Sequence, residues 1–175
     1  NAQTSGFNGG DGVVLLSASH PTQNGNQSNV LSTAADLSET SLESILIQIS
    51  DMKDDRGLRI AAQGTQLIIP TAYQFVAERL LESQLRTGTA DNDINAIKAG
   101  GYLPQGYHIM RRLTDADAFF VQTDVPDGLK MFQRSAMKKG MEGDFETGNV
   151  RYKVRERYSF GVTDWRGVFG TEGAA

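Results

Sequence analysis

Four cations stand within seven residues, Arg151, Lys153, Arg155 and Arg157, each one residue from the next. A row of this kind can pair with carboxylates on a neighbouring subunit, contact nucleic-acid phosphates, or simply face water beside scattered counter-ions. The chain as a whole carries a net charge of −4, so any phosphate binding would have to be local to this row. There are only two histidines, His20 and His108, and acid–base or metal chemistry would need the fold to unite them. The plainer expectation is two structural or exposed side chains. Asp91-Asn92-Asp93-Ile94-Asn95 is as rich in oxygen ligands as a calcium loop, yet it lacks the turn glycine and the bidentate glutamate of that pattern. A turn or helix cap satisfied by Asx side chains explains it as well. The carboxylates Asp51, Asp54 and Asp55, and the pair Asp115 and Asp117, read as a solvated helix end and a turn. The chain has no cysteine, which excludes disulfides and thiolate chemistry. Phosphate-binding, dinucleotide-binding and serine-elbow glycine motifs are absent too. The residues therefore point to a non-enzymatic protein with no catalytic, cofactor or metal site.

The elements that would position these groups follow from pattern. With 175 residues, 39% apolar and 22% charged, the chain can bury a core, and it has no apolar run long enough to span a bilayer. Residues 1–12 are polar and glycine-rich, Val13 to Leu16 reads as a short strand, and His20 to Asn29 as a long turn. Asp36 opens the clearest helix, with Asp36 and Glu39 at capping-box spacing. Leu42, Ile45, Leu46, Ile49 and Met52 share one face of it, and Lys53 ends it, a length of roughly 27 Å at about 1.5 Å per residue. A strand at Gln66–Ile69 leads through Pro70 into a helix from about Thr71 to Leu85, with Ala72, Phe75, Val76, Ala77, Leu80 and Leu81 inward. Thr87 to Asn95 is a loop. Beyond Gly101 the pattern is β, with strands at Gly106–Arg111, Ala118–Gln122, Leu129–Gln133 and Val150–Phe160. The last is the most regular: Val150, Tyr152, Val154, Tyr158 and Phe160 alternate with the cation row, which predicts one buried face and one wet face. Helices early and antiparallel strands late indicate an α+β fold.

A set of short signatures runs in order along the chain. The signatures are Phe7 through Thr22, Ala35-Asp36-Leu37-Ser38, Met52 through Gly57, Leu67-Ile68-Ile69-Pro70, and Ala77-Glu78-Arg79-Leu80-Leu81. Asp91 through Asn95, Leu113 through Phe120 and Asp164-Trp165-Arg166-Gly167-Val168-Phe169-Gly170 complete the set. In that order they resemble the major capsid proteins of tailed phages, and among these the Mu-like major head subunit type within the Hong Kong 97-like capsid fold. That resemblance implies a long spine helix at Asp36–Lys53, a peripheral-domain sheet and an axial domain. It divides the chain into an arm or loop remnant with a short strand at 1–30, a peripheral domain with the spine helix at 31–65, an axial domain at about 66–125, and a return to the peripheral sheet and C-terminus at 126–175. The strand Val150–Phe160 is expected to close the peripheral sheet over the spine helix. The family also has an N-terminal arm and an extended loop, for which about 30 residues ahead of the spine helix are too few, so both are expected to be removed or to lie upstream.

What the resemblance implies for function is a structural head protein, self-assembling into pentamers and hexamers of an icosahedral shell around double-stranded DNA. Its expected partners are copies of itself, with a scaffold protein, a maturation protease and a portal, and packaged DNA touched without sequence-specific contacts. It would sit in the virion after assembly in the host cytoplasm, with no membrane contact. The residues expected at subunit interfaces are Arg151, Lys153, Arg155, Arg157, Asp164, Arg166, Asp91, Asn92 and Asp93. Two alternatives are an encapsulin-like nanocompartment shell and a metal-dependent hydrolase using His20, His108 and the Asp91 to Asn95 loop.

Overall fold

A computed structural model of the chain describes residues 8–86 and 93–174. The core forms where the amphipathic helix α1 (Glu39–Ser50) lies on a four-stranded sheet. That sheet contains β3 (Gly64–Ile69), β4 (Tyr107–Ile109), β5 (Phe119–Thr123) and a C-terminal strand, β8 (Val168–Thr171), in the order β4-β3-β5-β8. β3 runs parallel to β4, and the other two pairings are antiparallel. Leu42, Ile45, Leu46 and Ile49 from the helix meet Leu67, Ile69, Phe119, Val121 and Phe169 from the sheet, all buried. The helical periodicity of the apolar residues predicts that face correctly.

The ends of α1 differ from expectation. Ser38 is the N-cap, and its hydroxyl accepts from the Ser41 amide while the Ser41 hydroxyl accepts from the Ser38 amide. This serine pair forms the capping box in place of Asp36 and Glu39. Asp36 lies before the helix and accepts from the Ala174 amide. At about 1.5 Å per residue the helix spans roughly 18 Å, not 27 Å. The second predicted helix is also shorter and divided. A 3-10 turn at Thr71–Tyr73 precedes α2 (Gln74–Glu82), and Ala77 and Leu81 point inward while Ala72 and Phe75 are exposed. A five-residue helix, α3 (Ala96–Gly100), was not expected; Asn95 caps it by accepting from the Ile97 and Lys98 amides.

Two further expectations fail locally. Val13–Leu16 forms no strand beyond an isolated bridge of Val14 to Asn8, and the predicted turn at 20–29 contains a hairpin, β1 (His20–Thr22) with β2 (Gly25–Gln27). Its loop residues are Gln23 and Asn24, and Gly25, the first residue of β2, takes a positive φ that glycine adopts without steric cost. The larger departure concerns the last long strands. Among the described residues, β6 (Leu129–Gly143) and β7 (Val150–Val162) pair only with each other, so β7 does not close a sheet over α1. That position belongs to β8, which pairs with β5. Among the described residues, no helix is long and apolar enough to cross a membrane.

Candidate assembly surface

The β6–β7 ribbon has two chemically distinct faces, and its register shows how they arise. Residues directly opposite in an antiparallel pair share a face. Leu129 stands opposite Val162, Met131 opposite Phe160, Gln133 opposite Tyr158, Lys139 opposite Val154 and Met141 opposite Tyr152. The other face pairs Lys130 with Gly161, Phe132 with Ser159, Ser135 with Arg157, Lys138 with Arg155, Gly140 with Lys153 and Glu142 with Arg151, so it is cationic apart from Phe132 near its root. Two irregularities, between Gln133 and Ser135 and between Ser135 and Lys138, each put one extra residue into β6. One bulge alone would exchange the faces of the remaining strand; two cancel, so the apolar row resumes at Met141 and Tyr152. Alternation along β7 thus does separate apolar from cationic side chains, as its sequence predicts.

The prediction that the apolar row is buried fails. Tyr152 is 78% exposed and Phe160 71%, and Leu129, Met131, Met141, Val150, Val154 and Tyr158 are exposed as well. Tyr158 and Phe160 touch edge to face, with centroids 5.5 Å apart, so part of the row packs on itself. Nothing else in the described chain covers it. The ribbon's tip is a turn in which Asp144 accepts from the Glu146 amide and the Thr147 hydroxyl, leaving Phe145 fully exposed. Its root is fixed to the body where Gly128 crosses Gly167. A Cβ on either glycine would come within 2.8 or 2.6 Å of the other's Cα, so only glycine allows the crossing.

Charge is divided along the same boundary. Residues 129–162 hold eight Lys and Arg against four Asp and Glu, a net of +4, and the chain total of −4 leaves −8 for the remainder. Like charges facing each other across a ladder weaken it, as Lys138 and Arg155 do here. A ribbon that keeps such a pair on one side and bare aromatics on the other is poorly suited to standing in water alone.

The other expected interface residues are placed differently. Arg166 is buried: its Nε donates to the Lys53 carbonyl at 3.1 Å, and its other nitrogens meet Asp55 at 2.6 Å and Asp164 at 3.4 Å. Asp164 caps the Trp165–Gly167 turn by accepting from the Arg166 amide. Both hold the chain's own turn together and present little to a neighbour. Asp93 is exposed, and its carbonyl accepts from the Arg86 amide; Asp91 and Asn92 lie outside the described residues. The two histidines are not brought together. His108 is exposed on edge strand β4, whereas His20 is fully buried, with one ring nitrogen at Asp11 and the other at Asn29. Sequence reasoning missed this last cluster, in which Trp165 stacks on His20 at 4.3 Å with the rings 4° from parallel.

The phage capsid protein family matches the chain over residues 1–170. No curated protein matches. Among solved structures, the chain is similar to one from Mycobacterium phage Che8 (17% identity, TM-score 0.45), covering 83% of this chain and 54% of that one. It is also similar to a virus-like particle from Pyrococcus furiosus (11%, 0.44), covering 82% and 55% respectively. A phage-related protein from Bordetella bronchiseptica RB50 is a third (14%, 0.42), with 76% and 48% covered. The chain spans about half the length of these structures.

Proposed function

Because the chain belongs to the phage capsid protein family, we propose that it is a subunit of an icosahedral head, assembling through its ribbon into pentamers and hexamers that enclose double-stranded DNA. The observation that carries this reading is the apolar face of the β6–β7 ribbon, which the described chain leaves uncovered. A shell subunit needs such a face, because its stability as an assembly comes from surface that is buried only between copies. Rings of identical chains form when heterologous contacts close on rotation, and an acidic body beside a basic ribbon offers the two unlike patches that such a contact joins. The work is structural and involves no catalysis. Packaged DNA would be touched without reading its sequence. A scaffold protein, a maturation protease and a portal are the partners that assembly in the host cytoplasm and residence in the virion would require.

The test is Arg155→Glu. Arg155 is exposed on the cationic face, so the monomer stays folded and its far-UV circular dichroism is unchanged. Sedimentation velocity should show the wild type in large species and the variant shifted to small ones, with the difference shrinking as salt is raised. Wild-type assembly of the variant at low salt would remove the cationic face from the interface. A wild type that stays monomeric at every concentration would contradict the shell reading itself.

A further inference from the structure

The two faces of the β6–β7 ribbon cannot serve one and the same contact. Successive side chains of a strand point to opposite sides, so a neighbour whose acidic body meets the cation row lies away from the apolar row. The apolar row therefore needs an occupant of its own. Its eight exposed apolar side chains leave on the order of 900 Å2 uncovered, and a stable interface takes about 800 Å2 from each partner. Alternation also puts one charge from each strand on this face. Lys139 stands opposite Val154, and Glu156 lies between Val154 and Tyr158 on β7. Both are exposed, and neither is paired with another charge among the described residues. Once the face is covered, each needs an opposite charge beside it. A second copy of the same face carries both.

We infer that this face is a twofold contact: the ribbons of two copies stack antiparallel, apolar face to apolar face, with Lys139 of each copy meeting Glu156 of the other. The inference rests on the reading of the ribbon as an assembly surface and names what its apolar side takes. An isologous contact joins a patch to itself, so the patch must be self-complementary. The β7 row has that symmetry about Glu156. Two residues out stand Val154 and Tyr158, four out the aromatics Tyr152 and Phe160, and six out Val150 and Val162. Reversing a second copy over this centre sets ring against ring, Tyr152 by Phe160. The two Glu156 carboxylates fall near the axis, where the partner's lysine offsets each. Packed sheets lie about 10 Å apart, about the diameter of one helix, so ribbons stacked in the same direction would drive two helix-on-sheet bodies together. Antiparallel ribbons, each roughly 43 Å long, put the bodies at opposite ends. The cation rows of both copies then face outward, free for the charged contact with other acidic bodies.

Sedimentation velocity of the intact protein in about 1 M NaCl tests it, because exposed charges are then screened while buried pairs and apolar contacts persist. The wild type should be a dimer under those conditions. Glu156→Lys and Lys139→Glu should each raise the dimer dissociation constant at least about tenfold, with far-UV circular dichroism unchanged because both side chains are exposed. An equimolar mixture of the two variants should dimerise again, since each then supplies the charge that the other lacks. Simple attraction of a cationic ribbon to an acidic body predicts the reverse for Glu156→Lys, a tighter association. A wild type that is monomeric in high salt, a Glu156→Lys dimer as tight as the wild type, or a mixture no tighter than its parts would overturn the twofold stack. Shells at low salt beside any of those results would leave the head-subunit reading standing. Dimers in high salt that assemble no further at low salt would uphold the stack and remove that reading instead.

Discussion

Tyr152→Ser separates folding from assembly more sharply than any other single change on the ribbon. The side chain is 78% exposed, so in the isolated chain it has little burial to lose. Its neighbour across the ladder, Met141, is exposed as well. Exposed substitutions of this kind shift stability by about 0.5 kcal/mol, and the change from a good strand former adds less than about 1 kcal/mol. Association is where the residue counts. Full burial of a large apolar side chain contributes about 1.5–3 kcal/mol, and nearly four-fifths of this one remains to be buried. The expected loss is about 2 kcal/mol per contact, or roughly 10- to 30-fold in its equilibrium constant. Every subunit in a shell carries the change, so the concentration threshold for assembly should rise by at least that factor. Light scattering against protein concentration reads the threshold, and thermal unfolding below it reads the monomer. An unchanged threshold would show that the apolar face stays wet. A monomer that unfolds would show that the row is core after all.

Three further outcomes follow from the body of the protein. Asn29→Ala strips partners from buried carbonyls and from the Ser17 amide, at about 1–3 kcal/mol for each group left unsatisfied, so urea unfolding should show a loss of at least about 3 kcal/mol. Ile45→Asp puts an unpaired charge where α1 meets the sheet with no exposure at all, and soluble folded protein should not be recovered; a native-like circular dichroism spectrum would refute the packing. The lowered pKa of Asp11 means that its share of stability is present above the usual aspartate range and is lost as pH falls through its folded-state value. Asp11→Asn should therefore flatten the acid side of the melting-temperature profile, and a profile as steep as the wild type would argue against the pairing.

The helical face of α1 could be read from sequence because Leu42, Ile45, Leu46 and Ile49 satisfy one period on one surface. The helix ends could not, since Asp36 and Glu39 have the same spacing as the Ser38 and Ser41 pair that caps it. Alternation predicts only five residues of β6 where it runs fifteen, because two extra residues interrupt the pattern. For β7 the two faces were legible, and the fate of the apolar one was not. Alternation reports that a strand has an apolar side; it does not say whether the same chain or another copy covers it. The α3 helix is too short for periodicity to show, and only its Asn95 cap marks it. The His20 cluster was hidden for a different reason. Its members lie at positions 11, 20, 29 and 165, and only the tertiary fold brings them together.

Electron microscopy of the purified protein, concentrated at moderate salt, bears most directly on the proposal of a head-shell subunit. Closed icosahedral particles built of rings, abolished when Met131–Phe160 is replaced by a short turn that leaves the body folded, are the predicted result. Dispersed monomers from the wild-type chain, or closed particles that persist without the ribbon, would contradict it.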